Sequence, residues 1–295
     1  MKPAPFEYYA PTSVEEALAL LAEHGYDAKV LAGGQSLIPT MNFRLAQPSV
    51  LIDLNNVSDL FFIRSGENGG VRLGAMTRHV QVESDPLVAE RAPLVYETMP
   101  KIGTTQIRNR GTFGGSIAHA DPSAELPAVS VALDGRFRLQ NQNGDRWVSA
   151  KEFFVGMFAT LLDPDELLVE VAIPSIPQRS GWAIEEVARR PHDFALVGVA
   201  AVVTLDDRGF CQRARIVLLS VGDGPVVAHQ AVEMLAGQTL TPEIIREAAE
   251  KAAAVDIDPG SDIHASADYR RHLAKVLTRR ALQRAFERAK GSQNG

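Results

Sequence analysis

The sequence predicts an α+β protein that folds as two or three subdomains. Its 295 residues allow a large buried core, and 45% apolar against 22% charged residues is typical of a globular protein. Strand-like and helical runs are interspersed up to the proline-rich stretch 174–181, and beyond it three strand-like runs precede three helices. This stretch is therefore the predicted domain boundary, and a small C-terminal α+β domain with a three-stranded sheet should follow it.

Local signals place the elements before this boundary. A first helix of about ten residues should begin at a Thr12 or Ser13 cap, use Glu15 or Glu16 in a capping box, and end at Gly25. The remaining predictions are apolar strands at 28–32, 50–54 and 166–173, hairpins at 60–75 and 136–149, a helical stretch at 87–102 that Pro93 breaks, and a helix at 124–133.

After the boundary, strands are predicted at 182–188, 196–205 and 214–221, and helices at 227–236, 241–254 and 267–290. The last helix carries an apolar stripe and several arginines on the remaining surface, a pattern typical of a helix that docks with its basic face in solvent. The alternative is a contact with an acidic partner subunit.

Charge, hydropathy and cysteine content exclude several classes of function. A formal net charge of −6 argues against nucleic acid or an anionic membrane as the main partner. No apolar run approaches the about twenty residues of a membrane span, and the N-terminus lacks a hydrophobic signal core, so we expect a cytoplasmic protein. A single cysteine, Cys211, cannot form an internal disulfide, hold an iron–sulfur cluster or build a multi-cysteine zinc site.

Two glycine segments carry most of the functional information. Residues 32–37 read Ala-Gly-Gly-Gln-Ser-Leu, and residues 111–116 read Gly-Thr-Phe-Gly-Gly-Ser. Glycine lets a backbone turn tightly and lets its N–H groups approach an anion, although one such pair alone is more often a simple turn. Together, with hydroxyls at Ser36, Thr112 and Ser116, the segments predict loops that hold one pyrophosphate from both sides, as a dinucleotide cofactor requires.

Two carboxylates follow the second segment and refine this prediction. Asp121 and Glu125 would repel phosphate but suit the hydroxyls of a ribityl or ribose chain, so a flavin dinucleotide is the favoured cofactor. Motifs for a phosphate-binding P-loop, a nicotinamide-binding Rossmann unit or a serine nucleophile are absent, and the seven histidines show no metal-binding spacing. We therefore expect neither a catalytic residue nor a metal ligand in this chain.

The same segments resemble a known family. Residues 32–39 and 106–122 are similar to the two FAD loops of the flavoprotein subunits of molybdenum hydroxylases, and residues 166–174, 187–195 and 267–282 extend the resemblance over nearly the whole chain. The most similar types are the medium subunits of aerobic carbon monoxide dehydrogenase and of nicotine, caffeine and xanthine dehydrogenases. The cysteine-rich insertion that binds an additional cluster in some relatives is missing here.

This resemblance implies a fold and an assembly. The fold would be the vanillyl-alcohol-oxidase (PCMH) type, with FAD-binding subdomains at 1–57 and 58–177, a CO-dehydrogenase-flavoprotein-like domain at 178–290 and a disordered tail at 291–295. The chain would carry FAD and pass electrons from two [2Fe-2S] clusters of a small subunit to an external acceptor. A large subunit would hold the molybdopterin cofactor, and heterotrimers would pair into a heterohexamer.

The resemblance also implies which residues contact FAD. It places Ile102 against the cofactor, a hydrogen bond from His119, and Glu125 at ribityl or flavin donors. Leu167 or Leu168 would pair with the isoalloxazine through backbone atoms, and Glu185 stands where xanthine dehydrogenases have a flavin-contacting lysine. The pyrophosphate and adenosine would lie against Lys29, Val30, Leu31, Ala32, Gly33, Gly34, Gln35, Ser36, Leu37, Thr112, Gly114, Gly115 and Ser116, the last replacing a common asparagine.

Phe194 and the overall function each leave alternatives open. Phe194 falls where relatives place a residue over the flavin ring, but it could instead be a core residue at the start of a strand. The alternatives to an electron-transfer subunit are a standalone flavin oxidase of the same fold and a non-catalytic dinucleotide-binding module.

Overall fold

A small parallel sheet begins the chain in the computed structural model, which describes residues 2–291. Helix α1 (Val14–His24) packs on it, capped by Ser13, whose Oγ accepts a hydrogen bond from the Glu16 N–H at 3.1 Å. Helix α2 (Leu37–Asn42) follows the second strand. The strands are β1 (Glu7–Tyr9), β2 (Ala28–Leu31) and β3 (Val50–Asp53), with β3 in the centre.

An antiparallel five-stranded sheet organises the middle of the chain. The strands of this region are β4 (Ile63–Ser65), β5 (Val71–Gly74), β6 (Arg136–Asn141), β7 (Gly144–Ser149), β8 (Phe154–Gly156), β9 (Ala159–Thr160) and β10 (Leu167–Ile173). The sheet order is β4-β5-β10-β6-β7, while β8 and β9 form a separate hairpin. The helices are α3 (His79–Ser84), α4 (Pro86–Arg91), α5 (Pro93–Thr98), α6 (Thr105–Arg110), α7 (Phe113–His119), α8 (Glu125–Ala132) and α9 (Ala150–Phe153).

A four-stranded antiparallel sheet and its helices complete the described chain. The strands run in the order β11 (Ser180–Ala188), β12 (Ala195–Leu205), β13 (Cys211–Leu219) and β14 (Val226–Val227). The helices are α10 (His229–Leu235), α11 (Pro242–Lys251), which continues into a π-helical turn (Ala252–Asp256), and α12 (Ala267–Gly291). Gly181 lets α12 lie directly on β11, because a Cβ there would be 1.9 Å from the Ala285 carbonyl oxygen.

Strand β10 joins the two hydrophobic cores of the first two-thirds of the chain. Leu168 belongs to the large core beneath α5 and α8, whereas Leu167 and Val169 point into the core that α1 covers. The C-terminal sheet is apolar on both faces, because one face packs on the large core and the other on α12. The glycine segments therefore lie on a continuous packed scaffold.

The structure confirms the first helix, the break at Pro93 and both predicted hairpins, and it corrects three other predictions. The C-terminal sheet has four strands rather than three, because Val226–Val227 is too short to show a periodic pattern. The second glycine segment begins helix α7 instead of forming a loop. Gly291 is the last residue of α12, and residues 292–295 of the predicted tail lie outside the described residues.

The arginines of α12 do not form one solvated basic face. Arg270 is buried and donates to the carbonyls of Leu196 and Ser220, at 2.6 and 3.1 Å. Arg288 donates to Glu97 at 2.9 Å and so ties the C-terminal helix to α5. These arginines anchor the helix, which the spacing alone could not reveal. Within residues 2–291, no helix combines the length and apolar character needed to cross a membrane.

Candidate dinucleotide-binding site

The first glycine segment presents a row of free N–H groups. It leaves the end of β2 and enters α2, and Gly34 adopts the left-handed conformation with φ +74°. The backbone N–H groups of residues 33–37 have no hydrogen-bond partner within residues 2–291. Successive N–H groups around a left-handed residue form a concave site for an anion. This segment therefore has the donors that a phosphate needs.

The second glycine segment differs, because most of its N–H groups are already bonded. Phe113 and Gly114 donate to the carbonyls of Thr77 and Ala75, both at 2.9 Å. Gly115 donates to the Thr112 Oγ1 at 3.0 Å, so Thr112 caps α7. The Thr112 N–H and the Ser116 hydroxyl are the groups of this segment without a partner in the part of the chain that the structure describes. This segment thus offers side-chain groups and a rigid wall rather than a second row of donors.

The two segments approach each other closely because Gly33 has no side chain. A Cβ on Gly33 would lie 2.4 Å from the Arg110 carbonyl oxygen and 2.7 Å from the Gly111 Cα, so only glycine permits this approach. A Cβ on Gly114 would instead meet Ala75, with 2.5 Å between the two Cβ atoms. The structural role of Gly114 is therefore to let α7 pack closely against the chain that follows β5.

Arg78 and His79, at the start of α3, hold the second segment through hydrogen bonds to its backbone. Neither residue was predicted from the sequence. The His79 N–H donates to the Gly111 carbonyl at 3.0 Å, and its Nε2 lies 2.9 Å from the Thr112 carbonyl oxygen. Burial lowers the pKa of His79 to about 4, so the neutral ring carries its proton on Nε2 and donates it to Thr112. Thr77-Arg78-His79 matches no motif, and only its place after a buried strand could have drawn attention to it.

A second buried arginine holds the chain around Ile102. Arg108 pairs with Glu83 at 2.7 Å and donates to the Gly103 carbonyl at 2.7 Å and the Ile102 carbonyl at 3.2 Å. Gly103 has φ +52°, a left-handed conformation that suits glycine. Ile102 itself is half-buried and packs against the large core, so its position is fixed before any ligand binds.

Carboxyl groups converge at the start of α8. Glu125 is buried, and its pKa rises to about 7, first because of burial and then because of the nearby charges of Glu186 and Asp121. Burial also raises the pKa of Glu186, whose Oε1 lies 3.9 Å from the Lys101 Nζ. In the described chain, the buried Glu186 Oε2 has no hydrogen-bond partner. The cluster can therefore accept hydrogen bonds from a bound molecule.

Glu185 lies on the opposite face of β11 from this cluster. It pairs with Arg284 of α12 at 2.8 Å, whereas Ile184 and the partly buried Trp182 pack on the large core. Side chains alternate along a strand, so the neighbouring Glu186 and not Glu185 faces the first part of the chain. Glu185 therefore lies on the α12 side of the sheet, and its flavin contact stays a prediction.

Two of the predicted contact residues, His119 and Phe194, have rings that are not buried. The His119 ring is half-buried, stacks on Phe158 with centroids 5.1 Å apart, and has a pKa lowered by burial. Phe194 is 66% exposed in the loop between β11 and β12, so its interpretation as a core residue is wrong. Both rings are therefore accessible to a ligand.

The other predicted residues fall into two groups. Leu167 and Leu168 are buried in β10, which contains a bulge between Leu168 and Glu170 that interrupts its pairing with β6. The second group lies in and before the first glycine segment. Lys29 and Gln35 are exposed there, and the other members are half-buried: Val30, Leu31, Ala32, Ser36 and Leu37. A Cβ on Gly115 would be 3.4 Å from the Ala32 Cβ, so the first segment and α7 share one wall.

A fold with a row of backbone donors that lack a partner within residues 2–291 suits a dinucleotide-binding protein. Residues 4–176 match the FAD binding domain in molybdopterin dehydrogenase, and residues 182–285 match the CO dehydrogenase flavoprotein C-terminal domain. The chain therefore belongs to the family of FAD-binding subunits of molybdopterin dehydrogenases. The predicted identity as an FAD-carrying oxidoreductase subunit is confirmed.

Individual relatives match over almost the whole chain. The alpha subunit of the 6-hydroxypseudooxynicotine dehydrogenase complex of Paenarthrobacter nicotinovorans is 43% identical, covering 98% of this chain and 97% of the relative. The carbon monoxide dehydrogenase medium chain of Hydrogenophaga pseudoflava is 41% identical, covering 98% and 99%. A carbon monoxide dehydrogenase structure from that organism superimposes with a TM-score of 0.94 at 42% identity, covering 98% of this chain and 99% of the other.

The raised pKa of Glu125 predicts a pH-dependent stability. The carboxyl ionises near pH 4.5 when unfolded and near pH 7 when folded, so its favourable contribution is complete below pH 4.5 and is lost as the pH rises through 7. Glu125→Gln should remove this loss. We expect the variant to gain about 2–3 kcal/mol relative to wild type between pH 5 and pH 8, measured by urea denaturation of the flavin-free protein. A constant difference across that range would contradict the buried, protonated carboxyl, and Glu152→Gln on the surface serves as the control.

Proposed function

We propose that the chain holds FAD between the two glycine segments, with the pyrophosphate received by the N–H groups of residues 33–37. The observation that carries this proposal is the row of five successive backbone donors without a partner in residues 2–291, next to a left-handed glycine. Each phosphate oxygen can accept hydrogen bonds from such N–H groups, and a row of backbone N–H groups can hold an anion without a cationic side chain. The free Ser116 hydroxyl on the facing wall adds a further donor.

The flavin end of FAD would lie toward the carboxyl cluster. Glu125 and Glu186 can accept hydrogen bonds from ribityl hydroxyls or from the ring, and Asp121 lies close enough to influence Glu125. His119 and Phe194 supply exposed aromatic surface beside it, and Ile102 supplies an apolar contact. We assign Leu167 and Leu168 to a backbone contact with the ring at the bulge of β10.

Bound FAD supplies the redox chemistry, and the chain contributes position and environment. The buried carboxyl cluster and the apolar wall exclude water from the ring, and the donor row fixes the cofactor along its length. We propose no catalytic base among these residues, because electron transfer requires placement rather than proton abstraction from a substrate.

We also propose an assembly. The matching relatives are called medium chains or subunits of complexes, which implies large and small partner subunits. In the assembly we propose, a large subunit carries molybdopterin, a small subunit carries the [2Fe-2S] clusters that deliver electrons to this chain, and heterotrimers pair into a heterohexamer in the cytoplasm. Relatives are named for carbon monoxide, caffeine and 6-hydroxypseudooxynicotine, so one type of FAD subunit serves chemically different substrates.

A glycine substitution tests the donor row. Gly34→Ala places a side chain at φ +74°, and relief of that strain would rotate the N–H groups out of their row. Restoring the row on binding should cost about 1–2 kcal/mol, or roughly tenfold in the dissociation constant of FAD, measured by flavin fluorescence. Gly209→Ala is the matched control, because Gly209 has φ +87° and open space around it. Equal FAD affinity in Gly34→Ala and Gly209→Ala would refute the proposed site.

Removal of the Phe194 ring should open the flavin to solvent. We expect Phe194→Ala to accelerate reoxidation of the reduced protein by dioxygen several-fold in stopped-flow experiments, without loss of thermal stability, because the side chain is 66% exposed. Tyr26→Ala, a 90% exposed aromatic at the other end of β2, should leave the rate unchanged. An unchanged rate in Phe194→Ala would exclude the shielding role.

Co-expression tests the proposed assembly. Together with the proposed large and small subunits, the chain should purify as a particle that contains two copies of each, as native mass spectrometry can measure. A particle with one copy of each would contradict the pairing of heterotrimers. Recovery of the chain free of both partners would contradict the complex itself.

A further inference from the structure

We propose that Arg78 is a positioning residue that sets the distance between the two glycine segments and thereby the affinity for the pyrophosphate. The inference rests on the proposed FAD site. Arg78 lies in neither glycine segment, and the sequence analysis assigned it no role.

The contacts of the guanidinium carry this inference. One terminal nitrogen donates to the Arg110 carbonyl, immediately before the second segment, and the other donates to the Asn55 Oδ1. The Asn55 amide in turn donates to the Ala32 carbonyl at 3.1 Å, at the beginning of the first segment. A continuous chain of hydrogen bonds therefore runs from one segment to the other through Arg78.

The same carbonyl is the one that Gly33 approaches. A Cβ on Gly33 would lie 2.4 Å from the Arg110 oxygen, so that oxygen marks the contact between the segments. Arg78 and His79 together bind three successive carbonyls, those of Arg110, Gly111 and Thr112. The second segment is thus fixed on three consecutive peptide groups, and Arg78 alone extends this hold to the first segment.

The surroundings of Arg78 keep the guanidinium in one place. The side chain is half-buried, and its guanidinium carbon lies 5.6 Å from the centre of the Phe61 ring. Burial and the nearby charge of Arg110 lower its pKa, while Asp53 raises it. A planar guanidinium can donate in two fixed directions at once, whereas an ammonium group cannot reproduce that fork. Lysine at this position would keep the charge and lose the bridge.

The test compares Arg78→Lys with a matched arginine. Arg64 lies 4.4 Å over the Phe62 ring but bonds to neither segment, so Arg64→Lys controls for the loss of an arginine–aromatic contact. We expect Arg78→Lys to weaken FAD and ADP by the same factor of about ten, and Arg64→Lys to change neither by more than about twofold. ADP is included because it contains the diphosphate but no flavin. Binding is measured by calorimetry on the flavin-free chain.

A double-mutant cycle adds a second measurement. Asn55→Ala should weaken FAD binding, and the Arg78→Lys/Asn55→Ala protein should be no weaker than the weaker single variant, because both changes break the same bridge. Additive losses would contradict the hydrogen-bond bridge, as would loss of FAD affinity without loss of ADP affinity.

The outcomes also separate the role of Arg78 from the proposed FAD site. Equal affinities in wild type and Arg78→Lys would refute the role of Arg78 alone, whereas a wild-type chain that binds neither molecule would refute the proposed FAD site. A melting temperature of Arg78→Lys that falls well below that of Arg64→Lys would indicate a merely structural role.

Discussion

The contact between Gly33 and the Arg110–Gly111 peptide is the constraint on which the site depends. It joins segments that are far apart in sequence, one at the end of a parallel strand and the other before a helix. Any side chain at residue 33 would separate them, and the surrounding hydrogen bonds hold the approach in place. The two segments contribute unequally: the first offers a row of free N–H groups, and the second offers a wall in which most N–H groups are already bonded. A rigid second segment facing unpaired N–H groups of the first suits a ligand that must bind in a single position.

The far end of the site is built from the junction with the C-terminal sheet. Glu186 on β11 meets Glu125 on α8, and Lys101 lies beside them. Trp182 and Arg288 both donate to Glu97, so the C-terminal domain is bonded to the same helical layer that carries Lys101. A change in the orientation of this domain would therefore displace Glu186 from Glu125 and change the pKa values of both carboxyl groups. The C-terminal sheet thus contributes Glu186 to the proposed site.

Much of this could be predicted from the sequence, for identifiable reasons. Capping residues and glycines specify helix α1, prolines specify the breaks around α5, and alternating apolar residues specify β10. The glycine segments were identified because they combine paired glycines with hydroxyls and resemble a family. Their division of roles could not be predicted, because the partners of a backbone N–H depend on tertiary contacts such as those of Thr77 and Ala75. Arg78 and His79 were missed for the same reason, since their acceptors lie more than twenty positions away. The face of β11 on which Glu185 lies depends on strand alternation, which an aligned motif does not record.

Amide hydrogen exchange, followed by mass spectrometry or NMR with and without FAD, tests the central claim most directly. We expect the N–H groups of residues 33–37 to exchange rapidly in the flavin-free protein and to become strongly protected when FAD binds. The N–H groups of residues 113–116 should be protected in both states, because the chain already bonds them. Unchanged exchange at residues 33–37, or new protection confined to residues 113–116, would contradict the assignment of the pyrophosphate to the first glycine segment.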